Sequence, residues 1–179
     1  MTAEHRIRRL DELALDAFSH GERFAFRKAT LGPGLGLSRL GCTMIAVPPG
    51  KAAYPFHRHH VCDELFVILA GKGEHRWGEE RHPVRAGDII AAPRATEAHQ
   101  FVNTGDEELR YLAISDVGSE DVIEYPDSGK VAIAAGVRDG DLSTATVKFL
   151  GKLGQPMDYY DGEPDEPARA QASTRRSRG

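Results

Sequence analysis

The sequence predicts an all-β fold, a sandwich or single barrel, and three observations carry that prediction. From residue 23 onward, short apolar runs of strand length succeed one another. Explicit turns punctuate them at Gly71-Lys72-Gly73, Trp77-Gly78-Glu79, Ala86-Gly87-Asp88 and Thr104-Gly105-Asp106. No segment of helical period interrupts the series, and close turn spacing of this kind marks sandwiches and barrels.

Taken in order, residues 7–19 (IRRLDELALDAFS) fit either a short amphipathic helix through Leu10, Leu13 and Ala14 or an extended leader over the sheet. Residues 23–28 alternate phenylalanines with charges and read as a half-buried strand. Gly32-Pro33-Gly34-Leu35-Gly36 is a turn, because neither a GK[ST] triplet nor a Rossmann-type helix follows to make it a phosphate cradle. The next strand, 40–47, is stopped by Pro48-Pro49-Gly50. Further strands are expected from Glu64 to the Gly71 turn and near 74–77, 81–84, 89–92, 99–103 and 109–115. Beyond Ser115, turns and short apolar runs wrap the barrel, with one more strand at 147–150. From Asp161 the chain has almost no apolar residues with which to offset the entropy of ordering. The expected organisation is a leader (1–22), a barrel (23–160) and a disordered tail (161–179).

Composition narrows the function. A chain of 179 residues with 40% hydrophobic and 28% charged residues supports one well-buried core. A net charge of −4 offers no basic face for duplex nucleic acid. The longest apolar run, 65–70, is far short of the roughly 20 residues that cross a bilayer, and the N-terminal residues lack a signal-like apolar core. No nucleic-acid or membrane partner is therefore expected, and cytoplasmic residence is the default. Cys42 and Cys62 make no disulfide framework. Cys62, inside the motif described next, reads more readily as a small half-buried residue than as a redox centre.

The chemistry concentrates in 55–71, PFHRHHVCDELFVILAG. In an extended segment His57 and His59 project to one side, about 6 to 7 Å apart along the chain, so two imidazoles can share one ion. Arg58 points the other way. Glu64 lies an odd number of residues from both histidines, so the chain must bend or bulge within 60–63 for its carboxylate to face the same centre. His60 and Asp63 then face away. His99 opens a second strand, on which Phe101 and Asn103 share its face. Three imidazoles and a carboxylate suit iron, manganese, zinc, nickel, cobalt or copper, with positions left for water or substrate.

These two regions resemble the paired motifs of the cupin superfamily, small single-domain bacterial cupins in particular. Gly50, His57, His59, Glu64 and Gly71 match the first motif, with one extra residue after Gly50. Gly87, Pro93, His99 and Asn103 match the second, in a loop one residue longer, where Ala95 replaces the usual internal glycine. The resemblance implies a single double-stranded β-helix, or jelly roll, with N- and C-terminal extensions. It implies one divalent transition metal ion held by His57, His59, Glu64 and His99 near one end of the barrel. Oxygenase, decarboxylase and sugar isomerase chemistries all occur in that family, whose terminal extensions cover a sheet or build a dimer contact, so a homodimer is expected.

Phe66, Ile68 and Phe101 are expected to wall the cavity, with Gln100 or Asn103 orienting a ligand. His75 and Trp77, on one face of their strand, are the remaining candidates for its lining. The leading functional reading is a mononuclear metalloenzyme acting on a small polar molecule. A metal-containing module that binds or senses a small ligand is the alternative. A metal-free barrel is disfavoured, since it would bury a three-histidine, one-glutamate cluster without compensation. No general acid or base is legible. The histidine motif occurs once, which excludes a two-barrel chain.

Overall fold

The computed structural model describes residues 7–138 and 142–162. The strands of these residues are β1 (Asp16–His20), β2 (Phe24–Thr30), β3 (Leu40–Val47), β4 (Arg58–His59), β5 (Glu64–Ala70), β6 (Lys72–Trp77), β7 (Glu80–Arg85), β8 (Ile89–Ala92), β9 (His99–Val102), β10 (Leu109–Asp116), β11 (Glu120–Tyr125), β12 (Lys130–Ala135) and β13 (Val147–Gly151). One half of the barrel is a six-stranded sheet in the order β1-β2-β3-β10-β5-β8. The other half has two parts, β7-β6-β9 and β13-β12-β11-β4. An isolated antiparallel bridge between His57 and His99 joins them. This is the all-β jelly-roll barrel the sequence implies.

The core lies between the halves. Ile45, Val47, Phe66, Ile68 and Tyr111 from the six-stranded sheet pack with Val84 and Phe101 from the opposite side. On β5 and β10 these residues alternate with more exposed neighbours, so the period-2 pattern sets the register, whereas on β3 Met44 and Ala46 are buried on the opposite face as well. Across β3, β10 and β5 the pairs run in rows: Gly41 and Glu64 both oppose Ser115, Thr43 and Phe66 oppose Ala113, and Ile45 and Ile68 oppose Tyr111. The first row lies at the functional end and the third deep in the core.

Two segments take forms the sequence left open or understated. The leader runs extended. After a single 3-10 turn at Leu10–Glu12 it becomes β1, which pairs with β2 at the sheet edge and stacks Phe18 on Phe26 at 5.2 Å. Leu10 and Leu13 are too few apolar side chains to seat a helix, and neither is buried. Beyond Ser115, the chain forms the β11–β12 hairpin, and β11 pairs with β4. This segment therefore builds a wall of the barrel as well as wrapping it. The tail expected over 161–179 falls outside the described residues except for Asp161 and Gly162. Among the described residues, no helix is long and apolar enough to cross a membrane.

Candidate metal centre

Three elements bring the polar cluster together. His57 and His59 come from β4 and the residue before it, Glu64 opens β5, and His99 opens β9. The chain bends at residues 60 and 61 between β4 and β5, so Glu64 returns to the side occupied by the histidines. Reciprocal backbone hydrogen bonds tie the second ligand strand to the first, His57 N–H to His99 O at 3.1 Å and His99 N–H to His57 O at 2.7 Å. The loop before β9 is fastened to the same bend. Ala95 N–H donates to His59 O and Arg94 N–H to Asp63 Oδ1, each at 2.8 Å.

The side chains converge. Donor atoms of His57, Glu64 and His99 all lie within 4.8 Å of one another. Glu64 Oε2 is 3.1 Å from His99 Nε2 and 3.4 Å from His59 Nε2. The outer nitrogens are engaged elsewhere. His57 Nδ1 meets Pro55 O at 2.7 Å, and His59 Nδ1 meets Asp121 Oδ2 at 2.5 Å. A carbonyl or carboxylate only accepts, so each Nδ1 carries the proton and each Nε2 is left with a lone pair for the centre.

Electrostatics act on that donor set in opposite directions. Burial, with His99 and His59 adding to it, pushes His57 down to about 4, so it is neutral at pH 7. Burial works against the charged form of His59, but the Asp121 hydrogen bond and the Glu64 charge outweigh it and raise its pKa. Burial likewise opposes ionisation of Glu64, and the adjacent His99 with the other imidazoles overcomes it, lowering its pKa. Glu64 is thus an ionised, half-buried carboxylate, and its Oε2, itself buried, has no properly directed hydrogen bond. An orphaned anionic oxygen facing three imidazoles is what a bound cation would satisfy, and a mixed nitrogen and oxygen set fits a first-row divalent metal.

The cluster opens onto a cavity of about 270 Å³. Of the residues expected to line it, Phe66, Gln100 and Phe101 do. Ile68, His75, Trp77 and Asn103 do not. Ile68, 1% exposed, is enclosed within the core. His75 and Trp77 lie on β6, behind β9: His75 stacks on Phe101 at 4.7 Å, and its ring is 6.2 Å from that of His99. Burial, then the nearby His99 and His82, pushes His75 down to about 4. Asn103 braces a turn. Its amide donates to Val47 O and Glu107 O, and its carbonyl accepts from Gly105 N–H. Gln100 reaches the lining with both ends engaged, donating to Tyr54 O at 2.6 Å and accepting from Arg23 at 2.9 Å.

His60 stands outside the cluster, its Nε2 3.1 Å from Glu124 Oε1. Burial, with Asp121 and Asp116 adding to it, pushes the Cys62 thiol up to about 12, which makes it an unreactive neighbour.

Sequence reasoning missed Asp121, together with the lining residues Thr43, Tyr54, Tyr111, Ser115, Ile123 and Tyr125. The available signal was the alternation of Asp121, Ile123 and Tyr125 within EDVIEY, which places all three on one face of β11.

Residues 43–115 match the family model for the cupin domain. The chain is 32% identical over 68 residues to the oxalate-binding protein of Thermotoga maritima, covering 38% of this chain and 54% of that one. It is 37% identical over 75 residues to auxin-binding protein 1 of Arabidopsis thaliana, covering 37% of this chain and 36% of that one. The chain thus spans about half, or less, of the length of these relatives. A structure described as a sugar phosphate isomerase of the cupin superfamily from Silicibacter pomeroyi superposes with a TM-score of 0.69 at 21% identity, covering 84% of this chain and 96% of that one. That likeness speaks for the fold alone. With the paired motifs seated at one end of a jelly-roll barrel, the domain match identifies residues 43–115 of this chain as a cupin domain.

Proposed function

We propose that the protein is a mononuclear metal-dependent enzyme acting on a small polar molecule, with His57, His59, Glu64 and His99 as the ligands. The observation that carries this reading is the buried, orphaned Glu64 Oε2 among three imidazoles at the wall of an open cavity. When bound, a divalent ion of iron, manganese, zinc, nickel, cobalt or copper would supply a Lewis acid that polarises a ligand oxygen or activates water or dioxygen. The chain's own residues orient that chemistry. Asp121 and Pro55 O hold the two imidazoles in the tautomer that presents Nε2, and Phe66, Phe101 and Ile123 make the surrounding wall apolar. A relative named for binding oxalate is in keeping with a small polar ligand.

Residues 23–160 form the working barrel in this reading, and the protein acts in the cytoplasm as a homodimer. The free cysteines support the first location. The edge strand β13, with Val147, Phe149 and Leu150 exposed, supports the second state.

Elemental analysis of protein purified without chelator tests the proposal, with close to one transition metal per chain expected. His59→Ala and His99→Ala should each abolish most uptake. Metal near zero after supplementation with all six ions, or equal loss from His60→Ala, would overturn the ligand assignment.

A second reading has its own observation. Apart from the four ligands, the ionisable groups lining the cavity are tyrosines, and burial raises the pKa of Tyr54, Tyr111 and Tyr125. A site without a ready general acid or base suits a module that binds its ligand and releases it unchanged. Recovery of intact ligand after prolonged incubation with metal-loaded protein would decide for it.

A further inference from the structure

The metal-dependent reading leaves the ligand class open, and the cavity wall narrows it. We infer that the site takes a small monoanion, a hydroxy- or oxo-carboxylate, and excludes phosphate esters; this rests on the reading above.

Charge is the first argument. No lysine or arginine is among the lining residues. The nearby cations are committed elsewhere. Arg23 donates to Gln100, Arg58 pairs with Glu124, and Arg76 holds Asp127 at 2.9 Å while lying over the Phe56 ring at 3.5 Å. With a divalent ion in place, Glu64 is the one anionic side chain among the groups that would contact it and cancels one of its two charges. One carboxylate on the ion balances such a site. A phosphate carries about −1.5 to −2 and three strong acceptor oxygens, and would be buried at the far end of its ligand with no cation to meet it.

The second argument is the supply of hydroxyls. Thr43, Tyr54, Tyr111, Ser115 and Tyr125 line the cavity, and among the described residues none of their hydroxyls has a hydrogen-bond partner. Their arrangement follows the sheet register. Ser115 on β10 lies directly opposite Glu64 on β5, and Thr43 lies in the next row on β3. Gly41 faces Ser115 from the other side, where an added Cβ would come within 2.6 Å of Ser115 Oγ. The absence of a side chain there keeps that hydroxyl free beside the metal end. A ligand carboxylated at the ion and oxygenated at the adjacent carbon meets Ser115 first and Thr43 next.

The volume agrees. About 270 Å³ lies at the lower end of the roughly 300–1,000 Å³ of small-molecule sites, which suits a small acid.

The test uses the full chain loaded with Co²⁺, its stoichiometry measured first, and titrated calorimetrically with glycerate, 3-phosphoglycerate and glycerol. Glycerate should bind at least tenfold more tightly than either of the others. Ser115→Ala and Thr43→Val should each weaken glycerate by about three- to tenfold while Co²⁺ affinity changes less than twofold. Equal or tighter binding of 3-phosphoglycerate, preference for glycerol, no binding of glycerate, or variants indistinguishable from the parent would each overturn the inference. Failure to take up Co²⁺ is recognised from stoichiometry alone and overturns the metal-dependent reading together with it.

Discussion

His57 and His99 exchange both of their backbone hydrogen bonds, so two of the four candidate ligands form a cross-strand pair from opposite motifs. Their rings lie 4.6 Å apart between centroids. The same pair joins the β7-β6-β9 sheet to the sheet containing β4. Backbone pairing thus fixes the separation of two imidazoles, and packing has only to choose their rotamers. A site mounted this way is preorganised by the seam of the barrel itself.

Asp121 should matter to metal affinity without touching the ion. It is 6% exposed, and its Oδ2 accepts a hydrogen bond from His59 Nδ1–H while Oδ1 has no partner. Asp121→Ala should weaken binding of a divalent metal by about 10- to 100-fold. Asp121→Asn, which retains an acceptor for Nδ1–H, should recover part of that loss. His60→Ala, at a residue outside the cluster, should cost less than about twofold. Competition with a chromogenic chelator reads all three, and an Asp121→Ala protein that binds like the parent would show that the Nδ1 contact does not position His59.

Two motif glycines that look equivalent in sequence should respond differently to alanine. Gly71 has φ 78°, and an added Cβ would sit 2.5 Å from Glu108 O and 3.0 Å from Leu109 Cα, both backbone atoms that cannot swing aside. Gly87 has φ 96° with open space around it. Gly71→Ala combines left-handed strain with a backbone clash and should lose at least about 3 kcal/mol, whereas Gly87→Ala should lose about 1 to 2 kcal/mol from strain alone. Urea unfolding measures the difference, and equal losses would mean that the turn at Gly71 relaxes freely.

Ala95 occupies the left-handed region at φ 56°, the one non-glycine residue among those described to do so. It stands where the resembling motif carries glycine, so the loop keeps its conformation and bears the strain. Its N–H donates to His59 O, which explains why that conformation is held beside a ligand. Ala95→Gly should relieve the strain, about 1 to 2 kcal/mol for a left-handed residue, less the entropy that glycine adds to the unfolded chain. A net gain of about 0.5 kcal/mol and a small rise in Tm are expected. A lower Tm would place the entropy term above the strain.

Much of this architecture was legible because local chemistry dictates it. The glycine turns and period-2 runs locate β2, β3 and β5 to β10, and of the four expected ligands His57, Glu64 and His99 gather with donor atoms within 4.8 Å of one another while His59 Nε2 lies 3.4 Å from Glu64. What escaped depends on pairing across long sequence separations. Asp121 reaches His59 only because β11 lies beside β4, and Ser115 faces Glu64 only through the β10–β5 register. No periodicity within a single segment announces either neighbour. Asn103 illustrates the converse, since its position in a motif suggested a ligand contact while its three hydrogen bonds serve the turn.

His75 supplies a pH dependence whose sign can be worked out. It is 5% exposed, stacked on Phe101, and its Nε2 is buried without a partner. In the folded chain its pKa is pushed down to about 4, first by burial and then by His99 and His82, against 6.5 for an unperturbed histidine. Above pH 6.5 neither state binds this proton and no penalty arises. Between 6.5 and about 4 the unfolded chain takes up the proton and the folded chain does not, so stability falls as the pH falls. Below about 4 both states are protonated and the loss levels off. His75→Phe keeps an aromatic ring against Phe101 and Trp77 while removing the titrating group. Its acid limb should be shallower than the parent's by about 1 to 2 kcal/mol between pH 7.5 and pH 5. His57, also pushed down to about 4, contributes a similar slope that remains in both proteins without metal, so the difference between the two curves isolates His75. Parallel curves for parent and variant would show that His75 is protonated in the folded barrel at pH 5.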